Sequence, residues 1–363
     1  MSITPDPSSP PAAADAAAPR PHHSPPHAHA ADSRVPMWVA IGLTVVAGGL
    51  VALQSRVNGQ LARALDDYSV AAVISFGSGL ALLLVLAAAW PVGRRGLGRM
   101  VAAIRGGAIP WWMLLGGVAG AWFVATQGIA VGVLGVALFT IGIVAGQTLG
   151  GVVFDVIGIG PGGRRPLSIA RVAGAVIALA AVGWAVSAQV SASVPLWIML
   201  LPFSAGIGAS WQQAMNGRVR TASASALAAT VANFAVGSAV LVVVMLVHAA
   251  SVGWPDRMPD DWWLYTGGAI GCVFIAAQAV LVRRVGVLLL ALGLVAGQLS
   301  AALALDLLLP ATGREVGLAT VGGTVLALVA VTLASIRWGR AKHVAPAESG
   351  PATGSAPAVS PSS

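Results

Sequence analysis

The residues of this chain that could do chemistry are few, and most come in pairs. Asp155 and Asp306 are the only acids within or at the edge of an apolar stretch of spanning length, since Glu315 falls in a loop and Glu348 in a tail. A desolvated carboxylate can take up and release a proton as its pKa moves, which suits ion coupling. Both aspartates lie late in their stretches, with Arg171 and Arg314 on the segments that follow, so ion pairing at the membrane boundary is the stronger expectation. The amides pair as Gln147 with Gln298, Gln54 with Gln212 and Gln127 with Gln278, while Asn233 falls opposite Ser75. An amide among apolar neighbours must find a hydrogen-bond partner. It therefore either bonds a neighbouring helix or lines a path for a polar substrate. Asn58-Gly59 and Asn216-Gly217 have the residue types of helix C-caps, and are otherwise candidates for gates at opposite membrane faces.

Enzymatic chemistry finds no support. His248 is the one histidine in the apolar stretches, no nucleophile elbow accompanies it, and the aspartates sit between Phe154 and Val156 and between Leu305 and Leu307. No Walker sequence provides for ATP. The single cysteine, Cys272, excludes an intramolecular disulfide framework and a Cys-based metal cluster. His22, His23, His27 and His29 lie in a Pro/Ala/Ser-rich tail without fixed ligand geometry, so neither a metal nor any other cofactor is expected.

The elements that must position these residues are membrane helices. The 363 residues are 57% hydrophobic and 9% charged, against about a quarter charged in a soluble domain. Apolar runs of about twenty residues, enough for a helix to cross the hydrocarbon, lie at Met37–Arg56, Tyr68–Trp90, Trp111–Val131, Val133–Phe154 and Leu167–Gln189. Five more follow at Leu196–Met215, Ser225–His248, Trp262–Val282, Val285–Leu309 and Val316–Ile336. The runs do not alternate as barrel strands would. Residues 1–35 and 343–363 read as disordered tails, the first without the apolar core of a signal peptide.

The +8 net charge sits in short loops, which argues for topology and against a nucleic-acid partner. With both tails cytoplasmic, the inner segments carry Arg94, Arg95, Arg99 and Arg105, then Arg164, Arg165 and Arg171, then Arg218 and Arg220, then Arg283 and Arg284. The outer ones keep Arg56, Arg63, Arg257 and Arg314. Trp38, Trp90, Trp111, Trp112, Trp262 and Trp263 mark interfaces.

The chain also repeats itself. Gln54…Asn58-Gly59 reappears as Gln212…Asn216-Gly217, and Ser75-Phe76…Gly79 as Asn233-Phe234…Gly237. Trp111-Trp112, Gly116, Gly120, Phe123 and Gln127 reappear as Trp262-Trp263, Gly267, Gly271, Phe274 and Gln278, and Gly142…Gly146-Gln147 as Gly293…Gly297-Gln298. The Gly-x-x-x-Gly pairs are helix-packing devices. Each half, 36–190 and 195–338, holds an odd number of runs, so the second enters the bilayer inverted, as in many secondary transporters.

This five-plus-five plan, with Gln-x-x-x-Asn-Gly and Gly-x-x-x-Gly-Gln in both halves, resembles the drug/metabolite transporter superfamily, with its EamA-like members, and within it the YdcZ-like family over residues 36–338. The resemblance implies a small bacterial inner-membrane protein with a transporter fold and an export function. The small multidrug members of the superfamily use a glutamate in the first span; here Gln54 occupies that stretch.

The expectation is thus an all-α integral membrane protein of about ten transmembrane helices in two inverted five-helix repeats. It would export a small metabolite or amphipathic compound by alternating access, with the bilayer and that compound as its partners. A fused pair does not need to dimerise to complete its inverted partner. A lipid-handling protein of flippase or scramblase type, or a scaffold without transport, is the alternative.

Overall fold

The computed structural model describes residues 36–161, 163–164, 168–187, 196–310 and 316–335. The expected tails, with their four histidines, lie outside the described residues, as do Arg165, Arg314 and Glu315. Among the described residues the chain is helical without a strand: α1 Met37–Leu65, α2 Tyr68–Ala89, α3 Pro91–Arg105, α4 Gly116–Ile157, α5 Ile169–Ser187, α6 Leu200–Ser223, α7 Ala226–Val252, α8 Gly267–Leu308 and α9 Leu318–Ser335.

Among the described residues, five segments are long and apolar enough to cross a membrane: Met37–Leu65, Tyr68–Ala89, Trp111–Ile157, Ala226–Val252 and Leu290–Leu308. Val172–Ala185 and Leu318–Leu333 are shorter apolar helices, and the expected runs Leu167–Gln189 and Val316–Ile336 extend outside the described residues. The sequence of α6 explains its absence from the five: Gln212, Gln213, Asn216, Arg218 and Arg220 crowd its second half. The two runs expected at 111–154 form one element, α4, whose 42 residues break at Gly135 with φ 78° and ψ 167°. Only glycine takes that backbone without strain, and it leaves two arms of roughly twenty residues, each about 30 Å long.

Equivalent elements recur with equivalent detail. The α1–α2 turn passes Asp66 at φ 51°, and the α6–α7 turn passes Ala224 at φ 48°. Each turn is followed by a side-chain N-cap: Asp67 accepts from the backbone N–H groups of Ser69 (2.7 Å) and Val70 (3.1 Å), and Ser225 accepts from Ala228 (3.1 Å). Short 3-10 turns at Trp111–Leu115 and Trp262–Thr266 lead into α4 and α8. Asn58-Gly59 and Asn216-Gly217 do not cap anything: both lie inside helices that run on to Leu65 and Ser223. Gly59 is required instead by close approach, because a Cβ there would stand 2.8 Å from Cβ of Val131.

The halves interlock rather than stand apart. α1 packs along α8, α6 along α4, and α5 along α9. Small residues let the backbones meet. Gly48 of α1 abuts the Leu294 carbonyl of α8, while its equivalent in α6, Gly206, abuts the Ile143 carbonyl of α4. Gly297 meets the Val45 carbonyl just as Gly146 meets that of Phe203, and Gly293 and Gly142 face Thr44 and Pro202. The equivalent rings Phe76 and Phe234 stack on one another, centroids 4.7 Å apart. A buried apolar cluster including Leu134, Phe139, Ile141, Ile143 and Leu299 fills the centre.

Candidate functional site

Each half offers glycine notches to the amides of the other. Gln54 donates from Nε2 to the Gly267 carbonyl (3.0 Å), and a Cβ at Gly271 would stand 2.6 Å from that Nε2. Gln212 lies the same way over Gly120, 2.5 Å from the Cβ position, and donates to Oδ1 of Asn233 (3.1 Å). Gly116 and Gly267 likewise face Oδ1 of Asn216 and of Asn58. The pairs Gly116/Gly120 and Gly267/Gly271 are therefore seats for side chains as well as packing devices. Their spacing was visible in the sequence; the residue each receives was not.

Beyond these shared contacts the two ends differ. Asn58 (1% exposed) donates from Nδ2 to Oε1 of the fully buried Gln127 at 2.6 Å. Gln127 Nε2 donates to Oγ of Ser55 (2.9 Å), which donates in turn to the Val51 carbonyl (2.9 Å). This chain of bonds ties the second half of α1 to the first arm of α4. The equivalents Asn216 and Gln278 are half-buried, Gln213 is exposed, and no hydrogen bond joins them among the described residues. Accordingly α1 packs against α4, whereas α6 and α8 scarcely touch. Oδ1 of Asn58 and Oγ of Ser75, both beside Gly267, are buried without a hydrogen-bond partner among the described residues.

The expected partner of Asp306, Arg314, lies outside the described residues. Asp306 is 7% exposed, and its carboxylate accepts from the backbone N–H groups of Val136 (3.0 Å) and Ala137 (2.7 Å), at the start of the second arm of α4. An anion suits that position, where helix N–H groups are unpaired and the dipole is positive. The side chain also lies against Gly135, and its charge acts on Arg56 of α1. Sequence reasoning missed this because the capped helix belongs to the other half of the chain. Asp155 is half-buried and engaged as well. Its suggested partner Arg171 has a side chain outside the described residues, and so do Arg283 and Arg284.

Gln147 and Gln298 lie on the α4–α6 and α1–α8 seams beside Gly146 and Gly297. Gln298 is 6% exposed and Gln147 half-buried; neither amide makes a hydrogen bond among the described residues, to the other or to anything else. Oγ of Ser210 donates to the Gln147 carbonyl (2.8 Å). One further polar contact was not foreseen: His248 approaches Asp67 at 3.9 Å, with its ring 5.3 Å from that of Tyr68. Asp67 is the N-cap of α2, and the end of α7 lies beside it.

Compared with known families, residues 39–184 and again 197–333 match the model described as "Putative inner membrane exporter, YdcZ". No curated protein matches the chain.

Proposed function

Because the chain belongs to the YdcZ family within the drug/metabolite transporters, we propose that it is a secondary transporter exporting a small metabolite or amphipathic compound by alternating access. The family match and the apolar helices make it a multi-pass inner-membrane protein. In our reading, ten spans form two inverted repeats, 36–190 and 195–338. The long α4 and α8 contribute two spans each, and both termini are cytoplasmic. Reciprocal contacts between equivalent residues support the repeat, and the arginine distribution supports the orientation.

The observation that carries the mechanism is the unequal state of two equivalent amide sets. Asn58 and Gln127 are bonded and buried, whereas Asn216 and Gln278 are half-buried and not bonded to each other. One sequence pattern in two arrangements is what a two-state element needs, since each half then supplies the conformation that the other exchanges into. In the proposed orientation the sealed end faces outward. Gln54, Gln147, Gln212, Gln298 and Asn233 would line the path as amides. A path of amides without a fixed charge suits a neutral, zwitterionic or amphipathic substrate, because a bare ion would need a counter-charge or a helix end aimed at it.

The test is thiol labelling of Gln147→Cys and Gln298→Cys in a Cys272→Ala background, with a membrane-impermeant reagent applied from each side. Labelling of both positions supports a water-lined path. Protection of both from either side would contradict it and favour a scaffold or lipid-handling protein.

A further inference from the structure

We propose that α3 is an in-plane amphipathic helix that docks on an anionic phospholipid surface. The helix, Pro91–Arg105, follows α2 without a loop, Trp90 being the C-cap of one and the N-cap of the other. The chain then turns into the apolar segment that begins at Trp111. At 15 residues and with four arginines, α3 cannot cross the bilayer. Lying between two apolar segments, it is held at the boundary between lipid and water.

Its faces divide by chemistry. Gly93, Gly96 and Met100 fall at i, i+3 and i+7 and are buried, with Gly96 against Ser225. Two arginines are engaged by the protein. Arg94 donates to the Ala88 carbonyl (2.6 Å), and Arg99 donates to those of Ser223 (2.9 Å) and Ala224 (3.2 Å) at the α6–α7 turn. Arg95 and Arg105 are exposed, and among the described residues neither makes a hydrogen bond or ion pair. Beside them Val92, Val101 and Ile104 are exposed too. Two free guanidinium groups on the face away from Gly93, Gly96 and Met100, with exposed aliphatic side chains on either side, fit a helix set into a charged lipid boundary.

Charge complementarity selects the lipid. No acid occurs on α3. The equivalent connection of the second half, between α7 and Trp262, has no such helix and carries Asp256, Asp260 and Asp261 against one arginine, Arg257. Phosphate-bearing anionic headgroups therefore match the α3 end and are disfavoured at the other, and each arginine held near such a surface is worth roughly fivefold in affinity.

The experiment places the full-length protein in bilayer discs containing equal amounts of phosphatidylcholine and phosphatidylglycerol and measures the lipids that stay bound on extraction. The unsubstituted protein should retain phosphatidylglycerol in excess, with an excess that shrinks as salt is raised. Arg95→Gln with Arg105→Gln should lower that retention about twenty-five-fold, from the two contributions together. Arg95→Lys with Arg105→Lys should keep most of it, and so should Arg257→Gln, which removes a charge from the other end. Retention unchanged in the double glutamine variant would overturn the proposal, as would an equal loss on Arg257→Gln.

Discussion

The region around Asn58 and the region around Asn216 share the Gln-x-x-x-Asn-Gly pattern and a glutamine across from it, Gln127 or Gln278, yet they differ in arrangement. Ser55 and Arg56 of the first are replaced by Gln213 and Ala214 in the second. Around Asn58 the amide of Gln127 is fully buried and bonded on both sides, and α1 lies against α4. Around Asn216 the matching amides are half-exposed, and α6 stands off α8. The contacts shared by the two regions run between the halves: Asn58 and Gln54 over Gly267 and Gly271, Asn216 and Gln212 over Gly116 and Gly120. The contact that differs runs within a half. The comparison teaches that the two ends share their cross-half seams and differ in whether α1 lies on α4 and α6 on α8; in the proposed mechanism the seams are the frame and that closure is the variable. Arg56 adds to the inequality, since it lies in the field of Asp306 and its equivalent in α6 is Ala214.

The largest effect should come from breaking the frame. Gly146→Val and Gly297→Val drive a branched side chain into the carbonyls of Phe203 and Val45, where backbone cannot give way, at a cost of roughly 3 kcal/mol or more. Both should abolish recovery of monodisperse protein in detergent, whereas Gly151→Ala, with open space at its Cβ position, should behave as the unsubstituted chain. Next is Asp306→Leu, which leaves the N–H groups of Val136 and Ala137 without their acceptor. It should cost about 1–3 kcal/mol and lower the thermal midpoint in detergent. A variant as stable as the parent would show that the Gly135 break needs no cap.

The smaller effects separate the two ends. Gln127→Leu removes the acceptor of Asn58 and should destabilise by about 1 kcal/mol, in the range of interhelical hydrogen bonds in membranes. Gln278→Leu removes an amide that bonds nothing among the described residues and should change stability by less than about 0.5 kcal/mol. Equal effects would mean that the two ends do not differ as described.

How much of this was legible in the sequence depends on whether the signal was local. Apolar runs, the pairing of Gln54 with Gln212 and of Gly146 with Gly297, and the odd number of runs per half all lie in the linear pattern. The family followed from the same residues. Asn58-Gly59 was misleading because glycine serves both a left-handed turn and a close crossing, and only the neighbour, Val131, decides which. Asp306 was read with the arginine next in sequence, which lies outside the described residues, whereas its hydrogen bonds to backbone groups 170 and 169 residues away leave no local signal. α3 reads as a charged loop when its arginines are counted, and as a helix face once the spacing of Gly93, Gly96 and Met100 is followed.

The central claim is that the two ends exchange states, and paired cysteines test it most directly. In a Cys272→Ala background, Asn58→Cys with Gln127→Cys and Asn216→Cys with Gln278→Cys would be bridged by a short bifunctional thiol reagent, and the pairs would then be combined in one chain. The account predicts that either pair can be bridged and that bridging one makes the other unbridgeable and more accessible to a water-soluble thiol reagent. Simultaneous bridging of both pairs, or an Asn216/Gln278 pair that never bridges, would contradict it.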